Sequence, residues 1–386
     1  MICIKNGRIH TAVDRQAFVG DILIDNGKIR KVGPGLSQTA PEAEIYDAQG
    51  LDVYPGFIDA HCHVGLSVAG AAAAGKDVNE GNDPVTPQLR AMDGINPFDE
   101  KLRQAARAGV TCVATGPGSA NCIGGTFSVI KTWGKRVDSM VVKEAAAMKC
   151  AFGENPKTFY QSKAVSSRMT NASMIRGALK KARLYEKKLE LAAGDYSKYP
   201  AYDEKCEALL PVLRKEIPLK AHVHQANDIF TALRIAREFD LDITLEHVTE
   251  GHLIVEELAK ERVPLAVGPT FCSVSKIECR NISWKTAGAL ANAGCQVSII
   301  TDAPVVPLEN LPVYAGYAIK AGMDEYDALR AITICAARHV GVADRVGSLE
   351  EGKDADLVVM SGSPFTVEGT PRYVFIDGKQ IRGAAI

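Results

Sequence analysis

Short apolar runs that alternate with helical patterns, together with β-hairpin signals near both termini, predict an α/β protein. The predicted architecture is a (β/α)8 TIM barrel with a small β-sandwich domain formed by both chain termini. A further observation supports the barrel: candidate metal ligands stand at the ends of the apolar runs, where the active sites of such barrels lie. We expect the β-sandwich domain to comprise residues 1–54 and 346–386, and the barrel to comprise residues 55–345.

Length and charge fit this architecture and narrow the class of ligand. The chain has 386 residues, of which 46% are hydrophobic and 24% are charged, as in ordinary folded proteins. The chain has 45 Lys and Arg residues and 46 Asp and Glu residues, so its net charge is -1. This balance does not favour binding to nucleic acid or to a membrane surface. We therefore expect a small-molecule substrate. Without a secretion signal or a membrane-length apolar run, the expected location is cytoplasmic, and a homo-oligomer is compatible with the sequence.

The terminal segments contain Asn-Gly and Asp-Gly dipeptides, which supply the positive φ angles of tight hairpin turns. Three hairpins are predicted, over residues 4–9, 22–29 and 375–379. Because isolated hairpins are only marginally stable, the two ends of the chain are expected to pair in one β domain.

Seven short apolar runs between the termini are the predicted barrel strands. They cover residues 57–60, 110–114, 149–152, 219–221, 243–246, 265–267 and 297–301. Helices are predicted over residues 99–108 and 175–189, the second from apolar residues at helical spacing. Gly116-Pro117-Gly118 and Gly124-Gly125 are predicted to be flexible loop elements after a strand.

Four histidines and one aspartate follow these runs at metal-ligand positions. His61 and His63 are two residues apart, so an extended strand directs both imidazoles to one side, where they can meet one cation. His222 and His247 each end a later run, and Asp302 follows the last one. Taken singly, each histidine could be structural and Asp302 could cap a helix, but together they predict one metal site.

These motifs resemble the amidohydrolase superfamily, near its imidazolonepropionase-related branch. The resemblance rests on residues 55–63 (PGFIDAHCH), on His222, His247 and Asp302, and on residues 347–357 (GSLEEGKDADL). It implies a metal-dependent hydrolase with a barrel and a flanking β-sandwich.

The resemblance also implies that a bridging group, either a carbamylated lysine or a glutamate, would hold two cations together. Lys149 and Glu154 are the candidates, and their opposite parity means that a regular strand directs only one of them inward. Glu154 is favoured because Phe152-Gly153-Glu154 resembles the Gly-Glu ligand segment of bacterial adenine deaminases. Lys149 remains the alternative.

Two residues after the fourth predicted strand are candidate substrate contacts. His224 repeats the spacing of two with His222 but lies further into the loop. Gln225 stands where related mononuclear deaminases and imidazolonepropionases carry a glutamate. An amide cannot transfer a proton as a carboxylate does, which weakens the assignment to imidazolonepropionase itself and favours a two-metal mechanism.

The leading hypothesis is therefore hydrolysis of an amide-like C-N bond by a metal-bound hydroxide held between two divalent cations, with zinc expected. In this hypothesis His61, His63 and Asp302 bind the first metal, His222 and His247 bind the second, and Glu154 bridges them. Asp302 is the catalytic residue that takes and returns the proton. The alternatives are a mononuclear deaminase of a heterocycle, with Glu154 as proton shuttle, and a non-catalytic barrel that serves in assembly.

Overall fold

The computed structural model describes residues 1–67, 75–274 and 276–383, whose strands form two separate eight-stranded sheets. The terminal sheet contains β1 (Ile2–Ile9), β2 (Phe18–Asp25), β3 (Lys28–Gly33), β4 (Glu44–Asp47), β5 (Asp52–Pro55), and, after the barrel, β14 (Leu357–Ser361), β15 (Thr370–Ile376) and β16 (Lys379–Arg382). The barrel sheet contains β6 (Phe57–Cys62), β7 (Val110–Thr115), β8 (Ile123–Lys131), β9 (Val141–Ala151), β10 (Leu219–Val223), β11 (Ile243–His247), β12 (Leu265–Val267) and β13 (Val297–Ile299).

The helices are distributed along the barrel segment. They are α1 (Ala91–Gly94), α2 (Glu100–Arg107), α3 (Val137–Met140), α4 (Glu154–Phe159), α5 (Arg168–Ala192), α6 (Glu204–Leu213), α7 (Ala226–Phe239), α8 (Val255–Glu261), α9 (Lys285–Asn292), α10 (Leu311–Lys320), α11 (Glu325–Ala331) and α12 (Ile334–His339). The α2 and α5 helices overlap the two predicted helical segments. No helix in the described part of the chain combines the length and apolar character needed to cross a bilayer.

Strands from both ends of the chain share the terminal sheet, as predicted. Its strand order is β16-β15-β14-β5-β1-β2-β3, with β4 paired to β1, and β14 lies antiparallel to β5. The hairpins at Asn26-Gly27 and Asp377-Gly378 are confirmed as the β2–β3 and β15–β16 turns. The exact domain limits stay a prediction, and residues 384–386 of the predicted domain lie outside the described residues.

The predicted hairpin at Asn6-Gly7 is wrong. β1 runs through this dipeptide, and the register of its pairing with β2 shifts between Ile4 and Gly7, which marks a β-bulge. Asn6 has a left-handed φ of 57°, but the φ of Gly7 is not positive, so the dipeptide lacks the second positive φ that a tight hairpin turn needs. Gly7 packs so closely on Val53 of β5 that a Cβ would lie 2.5 Å from Val53 Cγ2, and pairing with the neighbouring strands keeps the chain extended.

The barrel sheet follows the chain order from β6 to β13 and nearly closes on itself. Across the join, the His63 backbone N–H donates to the Ala303 carbonyl at 2.8 Å, and the Thr301 N–H donates to Asp59 Oδ2 at 3.1 Å. All seven predicted strands are present, alternating with helices. The arrangement confirms the predicted fold class.

The eighth barrel strand, β8, was not predicted and runs antiparallel to both of its neighbours. It contains Gly124-Gly125, so the prediction of a loop there is wrong. Gly125 has a φ of 114°, and a Cβ at this position would lie 2.3 Å from the Leu89 carbonyl oxygen. The glycine is therefore required by close packing of the preceding segment on a strand, rather than by a flexible loop.

The α12 helix packs on the interior of the barrel. Its Ala336 and Ala337, with Val340 and Val346 after it, form one buried cluster with inward-facing residues of the barrel strands. Those residues are Ile58, Ala60, Cys112, Ala114, Phe127, Val129, Ala146 and Ala266 of the strands, with Ile300 directly after β13. Apolar side chains therefore occupy the part of the barrel next to Ala336 and Ala337 of α12.

Candidate metal centre

The predicted ligands lie at the carboxyl ends of the barrel strands. His61 belongs to β6 and His222 to β10, while His247 is the last residue of β11. His63 follows β6, and Asp302 follows β13. All four histidines are buried, and Asp302 is partly buried. Four parts of the sequence therefore deliver metal-binding groups to one end of the barrel, as in other barrels of this class.

Asp302 lies between the first two histidines. Its Oδ1 is 3.2 Å from His63 Nε2 and 3.7 Å from His61 Nε2. The ligand atoms of His61, His247 and Asp302 all lie within 4.8 Å of one another. Burial favours the neutral acid, but the neighbouring imidazoles of His63, His247 and His61 outweigh this effect and lower the pKa of Asp302 below its usual value.

Two of these residues have a strained backbone. His247 has a φ of 74° and Asp302 a φ of 53°, both in the left-handed region that non-glycine residues rarely adopt. Such conformations cost about 1–3 kcal/mol each and persist where the surrounding structure imposes them, commonly at functional sites. The backbone at both strand ends is therefore held in place to aim these side chains.

The hydrogen bonds of the histidines direct one ring nitrogen of each into the site. The Nδ1 partners are Glu246 Oε2 for His61 (3.0 Å), the Gly116 carbonyl for His63 (2.7 Å), Ser119 Oγ for His222 (2.8 Å), Thr249 Oγ1 for His224 (2.7 Å) and the Gly268 carbonyl for His247 (2.7 Å). Carbonyl and carboxylate oxygens only accept, so Nδ1 of His61, His63 and His247 carries the proton and Nε2 presents a lone pair. Burial lowers the pKa of His247 to about 4 and the pKa values of His61 and His222 well below the usual value, which keeps these rings neutral.

Two unsatisfied atoms show that the group of residues fits a divalent cation. His247 Nε2 and Asp302 Oδ1 are buried, and neither has a hydrogen-bond partner among the described residues. An unpaired buried polar atom costs about 1–3 kcal/mol, which a bound cation would offset. Neutral imidazoles together with a carboxylate are the donors that zinc and similar divalent metals prefer.

Lys149, the alternative bridging residue, lies inside this group. It belongs to β9, is fully buried, and its Nζ donates to His61 Nε2 at 3.0 Å. Burial lowers the pKa of Lys149 to about 7. Glu154, the favoured candidate, instead opens α4, where its Oε2 accepts from the Glu278 backbone N–H at 3.3 Å. Because β9 ends at Ala151, the alternation of inward and outward side chains along the strand does not apply to Glu154.

The two predicted substrate contacts differ in position. The His224 ring centroid lies 4.6 Å from that of His222 and 4.7 Å from that of His247, so His224 joins the histidine cluster. Gln225 precedes α7, and its Oε1 accepts from Arg168 Nη2 at 2.5 Å. Gln225 and Arg168 line a side cavity of ≈ 290 Å³.

Residues that were not singled out from the sequence also line the site. Asn155 Nδ2 lies 3.3 Å from His222 Nε2, and Lys276 Nζ lies 3.4 Å from His224 Nε2. Asn155, Lys276 and Ser119 line an open cavity of ≈ 610 Å³, large enough for a small-molecule substrate. Glu246, the residue before His247, lies below the site in a buried cluster of charges. Its position next to a candidate ligand was the one signal in the sequence that could have identified it.

Comparison with known proteins agrees with this geometry. The Amidohydrolase family matches residues 53–381. The crystal structure of an amidohydrolase from Thermotoga maritima MSB8 is 42% identical, with a TM-score of 0.95 over 98% of this chain and 99% of that chain. The amidohydrolase tasK from Hapsidospora irregularis is 30% identical over 94% of this chain, which spans 40% of the length of that relative. An imidazolonepropionase from Symbiobacterium thermophilum is 26% identical over 89% of this chain and 84% of its own length.

A barrel with histidines and an aspartate at the carboxyl ends of its strands defines a class of metal-dependent hydrolases. The chain belongs to the amidohydrolase family. The resemblance seen in its motifs is thereby confirmed, and membership of the family supports a metal-dependent hydrolase.

Proposed function

We propose that this chain hydrolyses an amide-like C-N bond of a small molecule with the help of two divalent cations, expected to be zinc. The observation that carries the proposal is the convergence of neutral imidazole Nε2 atoms on Asp302, where His247 Nε2 and Asp302 Oδ1 have no hydrogen-bond partner within residues 1–67, 75–274 and 276–383. His61, His63 and Asp302 would hold one cation, and His222 and His247 the other. These donors match the preferences of zinc.

We assign the bridging position to Lys149 in place of Glu154. Lys149 Nζ already contacts His61 Nε2, whereas Glu154 is engaged with the backbone of Glu278. A neutral lysine amine combines with carbon dioxide to form a carbamate and releases one proton, which converts the amine into a carboxylate-like group. Burial favours the neutral amine that this step requires.

The remaining steps belong to Asp302 and to the open cavity lined by Ser119 and Asn155. A divalent cation lowers the pKa of bound water from about 15.7 to about 7 and polarises a carbonyl group. The Asp302 carboxylate accepts a proton from the attacking water and delivers it to the departing nitrogen. His63 Nε2 lies 3.2 Å from Asp302 Oδ1, so the two atoms would face the same cation. The open cavity of ≈ 610 Å³ admits the substrate from the side of Ser119 and Asn155.

The test combines metal analysis with the kinetics of Asp302→Asn. The chain is loaded with zinc and bicarbonate, and N-acyl amino acids, dipeptides, cyclic amides and aminated heterocycles are screened for turnover. The Asp302→Asn variant should lose a factor of about 10²–10⁴ in kcat, the usual contribution of a general acid or base. Bound metal with undiminished turnover in this variant would remove Asp302 from the proposed role.

The same measurements distinguish the alternative functions. One zinc ion per chain together with release of ammonia from a heterocycle would favour the mononuclear deaminase. A chain that binds no zinc would favour the non-catalytic barrel, although unsatisfied buried ligand atoms are costly for a protein that does not use them.

A further inference from the structure

The segment between β12 and α9 brings two charged side chains into the histidine cluster. Lys276 and Glu278 lie two residues apart, and Glu278 is part of a short turn of 3-10 helix over Ile277–Cys279. The Glu278 side chain is 1% exposed, although it comes from a loop and not from a barrel strand. A carboxylate buried this deeply requires a partner of positive charge.

Glu278 is aimed at two of the histidines. Its Oε1 lies 3.7 Å from His222 Nε2 and 3.7 Å from His224 Nε2. Its Oε2 accepts from the Glu154 backbone N–H at 2.8 Å, which fixes the orientation of the carboxylate. These distances place an anionic oxygen between two imidazole nitrogens, as a shared cation would require.

The backbone beside Glu278 is shaped to admit its carboxylate. Gly153 has a φ of 83°, and a Cβ at this position would lie 2.5 Å from Glu278 Oε2. Only glycine combines this backbone conformation with the space that the carboxylate occupies. The approach of Glu278 is therefore built into the turn between β9 and α4.

The Lys276 ammonium is surrounded by atoms that could serve as ligands of a metal cation. Its Nζ is 2.6 Å from Glu278 Oε1, 2.9 Å from Asn155 Oδ1 and 3.4 Å from His224 Nε2. A carboxylate, an amide oxygen and an imidazole nitrogen thus surround one positive charge. Beside them, one ring nitrogen each of His222, His224 and His247 lie within 4.8 Å of one another, and His247 Nε2 has no hydrogen-bond partner in the part of the chain that the structure describes.

We propose that Glu278 and His224 complete the site of the second cation beside His222 and His247, and that the Lys276 ammonium occupies this place until the cation enters. The inference rests on the proposed function, because it assumes that a first cation binds near His61, His63 and Asp302. The inference also predicts that the two cations bind with different affinities. Among the described residues only histidines pair with the Asp302 carboxylate, so the first cation displaces no ammonium from it, whereas the second must displace Lys276 from Glu278.

The test uses zinc titrations of the full chain after removal of metal, with the affinity of each equivalent measured by calorimetry and the bound metal counted by elemental analysis. Glu278→Gln should weaken the second equivalent by at least about tenfold and leave the first unchanged, because it removes a ligand charge. Lys276→Met and Lys276→Gln should both strengthen the second equivalent by about tenfold or more, since they remove the competitor. Glu256→Gln on α8 and Lys215→Met at the surface are the matched controls, and neither should change either affinity.

Thermal unfolding gives a second readout for the lysine variants. Without metal, Lys276→Met leaves Glu278 buried without its positive partner, so the Tm should fall. Zinc should then raise the Tm of this variant by more than it raises that of the wild type, because a cation restores the missing charge. The Lys276→Gln variant retains a hydrogen-bond donor and keeps the test valid if Lys276→Met does not fold.

Weaker or unchanged binding of the second equivalent in folded Lys276 variants would overturn the inference. A wild-type chain that binds one equivalent, with no second equivalent in Lys276→Gln, would also overturn it while leaving a single-cation hydrolase possible. A chain that binds no zinc at all would instead contradict the proposed function on which the inference rests.

Discussion

Glu246 is the side chain that supports the candidate metal site from below. It is fully buried, and its carboxylate accepts hydrogen bonds from His61 Nδ1 at 3.0 Å, Lys220 Nζ at 2.7 Å and His339 Nε2 at 2.8 Å. Burial raises the pKa of Glu246, but the charges of Lys220 and His339 outweigh this effect and lower the pKa well below its usual value. The ionised carboxylate therefore fixes the proton of His61 on Nδ1 and frees Nε2 for the site.

We expect Glu246→Gln to affect both stability and metal binding. The variant leaves the Lys220 ammonium buried without its partner, so the free energy of unfolding should fall by about 3–5 kcal/mol. Loss of the acceptor for His61 Nδ1 should weaken zinc binding by about 10–100-fold. Urea unfolding and zinc titration measure the two effects.

The double variant Lys220→Met/Glu246→Gln separates the effect on stability from the effect on zinc binding. Removing both charges should recover part of the stability, because no unpaired charge remains, but it should not restore zinc affinity. Wild-type zinc affinity in Glu246→Gln would show that His61 is oriented without this carboxylate.

At the scale of an element, Asp99 joins the start of α2 to the loop after β6. Its Oδ1 accepts from the Lys101 N–H at 3.1 Å, which caps the helix, and its Oδ2 accepts from the Gly65 N–H at 3.0 Å. Gly65 lies two residues after His63. One buried carboxylate therefore stabilises a helix end and holds the backbone that carries a candidate ligand.

Replacing Asp99 by alanine should cost about 1 kcal/mol for the lost cap and about 1–3 kcal/mol for the unpaired Gly65 N–H. Because the loop that carries His63 is loosened, zinc affinity should also fall. Asp203→Ala is the matched control, since Asp203 caps α6 through the Cys206 N–H at 3.0 Å and has no part in the site. Equal zinc affinities in the two variants would refute the link between the cap and His63.

The same scale shows which elements could be predicted from the sequence. Asn26-Gly27 and Asn6-Gly7 are identical dipeptides, yet one forms a turn and the other a bulge. The difference arises from the strands that pair on either side, which local sequence does not contain. The antiparallel strand β8 was missed for the same reason, because Gly124-Gly125 is typical of a loop until the packing of Leu89 on it is known.

The sequence predicted those residues of the candidate site that lie in or directly after regular strands. The histidines end apolar runs, so their common location followed from the rule for barrel active sites. The alternation of side chains along a strand predicted that only one of Lys149 and Glu154 points into the barrel. It could not predict that β9 ends before Glu154. Lys276 and Glu278 lie in a segment without periodicity, and only folding brings them to the histidines.

At the scale of the whole molecule, Lys131 connects the barrel to the terminal sheet. It is the last residue of β8, and its Nζ lies 2.7 Å from Asp356, 3.0 Å from Asp354 and 3.0 Å from Asp377. Asp354 and Asp356 precede β14, and Asp377 lies in the turn before β16. Three carboxylates from the end of the chain thus meet one buried ammonium from its middle.

Lys131→Met should destabilise the chain by about 3–5 kcal/mol, because it leaves the buried Asp356 carboxylate without its positive partner, whereas Asp354 keeps its ion pairs with Lys28 and Arg345. Lys215→Met provides the control, since the exposed ion pair of Lys215 with Asp240 should contribute less than about 1 kcal/mol. Both values follow from urea unfolding at neutral pH. Similar losses in the two variants would mean that the buried cluster contributes little to the attachment of the terminal sheet.

The pairing of β5 with β14 has a consequence for the synthesis of the protein. About 300 residues separate these neighbours, and a ribosome that adds about 5–20 residues per second needs about 15–60 s to reach β14 after completing β5. During that interval the backbone groups of β5 that face β14 in the finished protein have no partner strand. The nascent chain therefore carries an open sheet edge, the kind of surface to which chaperones bind and at which newly made chains aggregate.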